Sequence, residues 1–274
     1  DMLGGGGDMF GDGGDFFGGG GDDFFGGGGG DDFGMDFFGN DDGAMYAYTD
    51  GFYDPYAYYD DSESDIYVAD GGAIVATSAV ASTMILADGG NTVTLTTADF
   101  VYNGTILGGT GADNVTLSGA GAQGVVNLGT GNDFLKLADG GNSTVTIIDV
   151  ETIVTGVGPS TVTIAGSGTD GAGGTTVKYT AVSYNGDQIN GFTSGTDTFL
   201  FNSAVYSGDA NNDNACDAFE FGAGAVNSTN AGVFWAFDTV GNDLYYDPDA
   251  NAGGVGILVA DMDAAVAITD ITFY

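Results

Sequence analysis

From Val68 to about Thr180 the apolar residues fall in short β-branched runs, NTVTL, DNVTL, STVTII and STVTIA, separated by glycine-rich turns. Helical periodicity is absent throughout. The turns repeat: ADGG recurs at 69, 87 and 138, and GGTGAD at 108 is followed by LGTGND at 128, giving spacings of 18 to 20 residues. Short strands with a turn at each end of a near-constant step predict an all-β β-solenoid over 68–180, in which each coil buries its apolar face only by stacking on the next. From about Ala181 the pattern stays β-like but loses its regularity, in DTFLF, GVFWAFD, NDLYYD and GILVADM, and ends in DITFY. That change predicts an irregular β module over 181–274 that caps one end of the solenoid.

Upstream the texture differs. Residues 1–44 are almost wholly Gly, Asp and Phe, repeating as GGGGDMF, GDGGDFF, GGGGDDFF and GGGGGDDF at steps of seven to eight residues. A free chain of that composition is a disordered low-complexity segment. Its Phe pairs and Asp clusters also suit assembly, with rings packing into a neighbouring copy of the chain while cations bridge the carboxylates. Residues 45–67 hold seven of the fourteen tyrosines, and Pro55 argues against a long central strand, so this stretch is expected to be a linker that packs on something.

Charge narrows the function. Lys136 and Lys178 are the only basic side chains, His and Arg are absent, and 39 acids leave a formal charge of -37. With Glu63, Glu151 and Glu220 the only glutamates, the remaining 36 acids are aspartates, which favour turns and oxygen-ligand cation sites. So large a single-sign charge calls for divalent cations, high ionic strength or both. It excludes nucleic acid as a partner, because phosphates need Lys and Arg. One cysteine, Cys216, rules out an intramolecular disulfide framework, and without histidine the usual zinc sites cannot form. Ser-His-Asp and Cys-His catalysis are excluded by the same absence. The longest apolar stretch, Ala73 to Ala87, is shorter than the roughly 18 residues of a membrane span and is broken by Thr and Ser, so no span is expected. No charged and then apolar leader opens the sequence.

Two spacings point to a hard cation. In DANNDNACDAFE, Asp209, Asn211, Asp213, Asp217 and Glu220 fall at positions 1, 3, 5, 9 and 12 of an EF-hand calcium loop, with Ala215 supplying the position-7 carbonyl. Asn214 replaces the glycine of position 6, which asparagine's tolerance of the left-handed conformation permits, and the flanks do not read as helices. The second spacing is a nine-residue template, G-G-x-G-x-D-x-U-x. Gly108 to Thr116 fits it at every fixed position, and Leu128 to Lys136 fits it at all but the first.

In these nonapeptides the chain resembles the repeats-in-toxin proteins, the haemolysin-type calcium-binding β-roll family exported by type I secretion. The resemblance implies that calcium sits between successive turns, held by the Asp113 and Asp133 carboxylates and by turn carbonyls. These aspartates are twenty residues apart where the family's coil has eighteen, and the family's long tandem run is missing. The segment from Asn242 to Tyr274, NDLYYDPDANAGGVGILVADMDAAVAITDITFY, is similar to the C-terminal segment of type I secreted proteins. Charge, spacing and resemblance together lead to the expectation of a secreted, extracellular, calcium-binding structural protein that self-assembles into a filament or surface layer. Its partners would be itself, calcium and a surface or matrix polysaccharide. An adhesin or ice-binding solenoid, with the Thr-x-Thr pairs at 92–96, 144–146 and 161–163 lining a flat face, is the first alternative. A polysaccharide lyase or epimerase is the second.

Overall fold

The computed structural model describes residues 83–95, 103–118, 121–166, 174–181, 186–250 and 256–274, together with the backbone of four earlier strands. The chain divides into two units, Asp1–Gly34 and Met35–Tyr274. The first lies wholly outside the described residues, and with it most of the segment expected to take part in assembly.

The four early strands are β1 (Phe38–Gly39), β2 (Met45–Ala47), β3 (Ile66–Val68) and β4 (Ala73–Ala76). Six follow: β5 (Thr83–Leu86), β6 (Thr92–Leu95), β7 (Asn103–Leu107), β8 (Asn114–Leu117), β9 (Gln123–Asn127) and β10 (Phe134–Lys136). The next six are β11 (Thr144–Ile148), β12 (Thr152–Val154), β13 (Thr161–Gly166), β14 (Thr176–Tyr179), β15 (Asp187–Asn190) and β16 (Thr198–Phe201). Last come β17 (Glu220–Gly222), β18 (Trp235–Asp238), β19 (Asp243–Tyr246), β20 (Ile257–Met262) and β21 (Ile271–Phe273). Among the described residues there is no α-helix, and therefore no helix long and apolar enough to cross a membrane.

From β5 to β16 successive strands alternate between a 13-stranded and an 8-stranded sheet, and within each sheet neighbouring coils pair in parallel. This is the expected parallel β-roll. The alternation of side chains along each strand puts Val93, Val115, Leu135, Ile153, Val177 and Phe199 in one buried column of the smaller sheet, each 0 % exposed. Ile106, Val126 and Ile147 form the corresponding column of the larger sheet. Each such side chain contributes about 1.5–3 kcal/mol by leaving water, and none could do so in a single coil.

The coil length is less even than the turn spacings suggest. Thr144 stands beside Thr161, seventeen residues on, and Thr161 beside Gln188, twenty-seven on. The stacking also runs past the boundary expected at 180, through β15 and β16. Thr144 and Thr146 stack on Thr161 and Thr163 in the larger sheet, but Thr92 and Thr94 lie in the smaller one, so the Thr-x-Thr pairs do not share a face.

Toward the C-terminal end the core becomes aromatic. Phe201 packs on Tyr179, Trp235 and Tyr206 at centroid distances of 5.2, 4.4 and 4.9 Å, and the Trp235 indole donates to Ser207 O at 2.9 Å. The strands β18, β19 and β20 form an antiparallel meander that returns β20 beside β15 and β21 beside β16, closing the last coil in both sheets. The loop at 214–215 covers the open edge of β21 through an Ala215–Thr272 bridge and a Phe273 N–H to Asn214 O bond of 3.0 Å. A sheet edge is thereby kept from pairing with other chains.

Candidate metal centre

The nonapeptide turn beginning at Gly108 lies between two other turns, 87–91 below and 128–133 above. Glycine is required because the backbones touch: a Cβ on Gly111 would stand 2.1 Å from the carbonyl carbon of Gly89, and one on Gly131 would stand 2.3 Å from Gly111 O. Such turns bring carbonyl and carboxylate oxygens of successive coils together.

Asp113 and Asp133 each precede a strand of the smaller sheet and are 1 % exposed. Their side chains point along the roll axis. Asp113 Oδ1 accepts from the Asn91 backbone N–H at 2.8 Å and from Asn91 Nδ2 at 3.0 Å. Asp133 Oδ1 accepts from the Asp113 N–H at 2.7 Å, and Glu151 Oε2 accepts from the Asp133 N–H at 2.7 Å. Farther along, Asp197 Oδ1 accepts from the Thr175 N–H at 2.7 Å. Backbone bonds run beside them, such as Phe134 N–H to Asp113 O and Thr152 N–H to Asp133 O. Positions 91, 113, 133, 151, 175 and 197 thus form one column, in which a carboxylate of the next coil accepts from the amides of Asn91, Asp113, Asp133 and Thr175.

Burial pushes the Asp113 carboxyl above the usual carboxylate range, against the opposing pull of Asn91 and the Gly109 amide. Its second oxygen, Oδ2, and Asn91 Oδ1 are buried without a hydrogen-bond donor. Oxygens without donors are the kind of ligand a hard cation takes, and calcium would need several more from the turn carbonyls. Replacing Asp133 by Ala strands the buried Asp113 N–H and is expected to cost about 1–3 kcal/mol. Urea unfolding in chelator reads that cost free of any ion, and Asp133→Asn, which keeps an acceptor, should lose less.

The second candidate site lies in the exposed loop from Asp209. Asn214 has φ 68° and Asn212 has φ 59°, so asparagine takes the left-handed conformation at the position where glycine would be expected. Asp209 accepts from the N–H groups of Asp213 and Asn214 at 2.9 and 3.0 Å, and Asn211 Nδ2 donates to Asp217 Oδ1 at 2.9 Å. The Asp213 carboxylate accepts from the Ala215 N–H at 3.0 Å. These bonds gather Asp209, Asn211, Asp213, Ala215 and Asp217 into one loop. Glu220 stands apart: its carboxylate accepts from the Thr229 hydroxyl and N–H, both at 2.7 Å, and from Asn230 Nδ2 at 3.1 Å, bonds that hold it below the usual carboxylate range. Among the described residues no group of three acid, His or Cys side chains converges as a metal cluster. An ion gripped by the whole loop would therefore require Glu220 to exchange Thr229 for the loop. Burial pushes the Cys216 thiol up to about 11, which leaves it a neutral side chain donating to Ala218 O.

Asn91, Glu151, Thr175 and Asp197 carry no motif, yet each stands immediately before a β-branched or aromatic run, TVTL, TIV, TVKY and TFLF. That position is the signal that would have found them. A further buried acid, Asp187, opens β15 and accepts from the Ser160 N–H at 2.8 Å. No family model matches the chain, and no curated protein matches it.

Proposed function

We propose that this chain is a secreted, calcium-binding structural protein that self-assembles into an extracellular filament or surface layer. The observation that carries the reading is the buried carboxylate column, whose oxygens are stacked coil on coil in a chain of charge -37 with two lysines. The column's carboxylates accept from backbone amides of the neighbouring coil, and a cation between the turns would offset the like charge that stacking brings together. Asp113 and Asp133 with their turn carbonyls would hold one ion. Asp209, Asn211, Asp213, Asp217, the Ala215 carbonyl and Glu220 would hold another. Calcium bound there supplies charge neutralisation and a crosslink between turns. The resemblance to repeats-in-toxin proteins supports the same reading, as does the resemblance of Asn242 to Tyr274 to type I secreted C-termini. A sequence without His or Arg suits a structural role better than a catalytic one. In assembly the N-terminal Gly/Asp/Phe-rich segment would dock on a neighbouring subunit.

The test combines thermal unfolding with negative-stain electron microscopy across a calcium titration and in excess chelator. Above the dissociation constant, each bound ion should add about 1.4 kcal/mol of stability per tenfold rise in calcium, and filaments or sheets should form with it. Stability and particle shape indifferent to both calcium and chelator would sink the proposal.

A further inference from the structure

The two lysines of this chain are not scattered. In the smaller sheet Lys136 stands beside Val154, and Val154 beside Lys178, so both cations occupy one column with a buried valine between them. Two strand spacings separate them, about 9–10 Å. Their sequence neighbours Leu135 and Val177 point inward and are 0 % exposed, so the lysines project from the outer face. The positions that continue the column are Thr116 and Leu200, and Phe134 lies two residues before Lys136. None is acidic. Lys178 Nζ lies 3.8 Å from the centroid of the Tyr274 ring, which is 43 % exposed. No strand of the smaller sheet carries an acid, and this face is a positive, partly aromatic strip on an otherwise anionic molecule.

Such a strip selects a ligand that carries carboxylates and rings side by side. The N-terminal segment repeats that composition, with DFF at 15, DDFF at 22 and DDF at 31, each followed by glycine. Four extended residues span roughly 10–14 Å, so a single Asp-Asp-Phe-Phe unit reaches both lysines. We propose that the outer face of the 8-stranded sheet around Lys136 and Lys178 receives the Asp-Phe repeats of the N-terminal segment of a second copy of this chain. The carboxylates meet the ammonium groups, and the phenyl rings lie on Phe134, Leu200 and the lysine stems. This rests on the self-assembly reading, and it names the surface that reading leaves open. Charge sets the choice of face: elsewhere two copies meet acid against acid, and like-charge contact is penalised.

Zero-length carbodiimide coupling tests it directly, because only Lys136, Lys178 and the terminal amine can form the amide. Full-length protein is mixed as light and heavy isotope forms in calcium, coupled, digested and read by mass spectrometry. Mixed-label peptides joining Lys136 or Lys178 to aspartates between Asp8 and Asp42 are the expected result. Links only to turn aspartates, links only within one label, or coupling to an added oligouronate in preference to a second copy would overturn the proposal. Lys136→Glu with Lys178→Glu should raise the concentration needed for assembly by about tenfold or more while leaving the melting curve in place. An unchanged assembly concentration would also overturn it. Mixed-label links without any filament or sheet would retain the docking face and sink the polymer. Filaments without lysine links would do the reverse.

Discussion

Gly111→Ala is expected to cost the roll upwards of about 4 kcal/mol, a loss of the size reserved for a few named mechanisms and a large share of the 5–15 kcal/mol typical of a domain. The added methyl would stand 2.1 Å from the Gly89 carbonyl carbon and 2.4 Å from its oxygen. Both atoms are backbone, so no side chain can swing aside. Relief requires the coils to part, and parting breaks the Asn114 N–H to Asn91 O bond and the Asn91 bonds to Asp113 in the same stroke. Gly156 is in the same position, with its Cβ 1.6 Å from Ala138 O. Gly195→Ala is the control: φ is +80° but nothing lies within 4 Å, so only the left-handed strain of about 1–2 kcal/mol remains. Urea midpoints for the two variants decide the matter, and equal midpoints would show that close stacking of turns does not hold the roll together.

The turns that need these glycines were also the readable part of the chain. GGTGAD and LGTGND announce both the bend and the aspartate that ends it, and the β-branched runs announce the strands, because both signals are local. The rest of the carboxylate column is hidden for a physical reason. Its rungs link residues 22, 20, 18 and 22 apart, with Asp or Glu as the capping carboxylate and Asn, Asp or Thr as the residue whose amide is capped. No fixed spacing survives such freedom. The closure of the roll is hidden by distance: Ile271 pairs with Phe199 only after the chain has left and returned. The loop at 209 reads clearly as alternating oxygen donors, and the left-handed Asn214 accords with its side chain. The engagement of Glu220 with Thr229 is not legible in the same way, because a competing partner nine residues on belongs to a different turn.

The buried acid at 187 leads to the second large effect, a roll more stable in chelator at pH 4 than at pH 8. Asp187 is 0 % exposed, and burial pushes its carboxyl up from 3.8 to about 6, despite help to the anion from the Ser160 N–H and the hydroxyls of Tyr179 and Thr155. No lysine can assist, since Lys178 projects from the outer face beside Tyr274. Below about pH 4 the group is protonated both folded and unfolded and contributes nothing to the difference. Between about 4 and 6 the unfolded chain has released the proton that the folded chain still holds, so stability falls as pH rises. Above 6 the loss is complete, at about 3 kcal/mol. Asp113 and Asp197, also raised by burial, push in the same direction. Asp187→Asn keeps an acceptor for Ser160 and adds a donor for the hydroxyls. Its stability should depend less on pH, exceeding that of the parent by up to about 3 kcal/mol at pH 8 and converging with it near pH 4. Guanidinium unfolding of both proteins across that range is the measurement, and a variant weaker than the parent by the same amount at every pH would show that Asp187 acts only as a packing and hydrogen-bonding group.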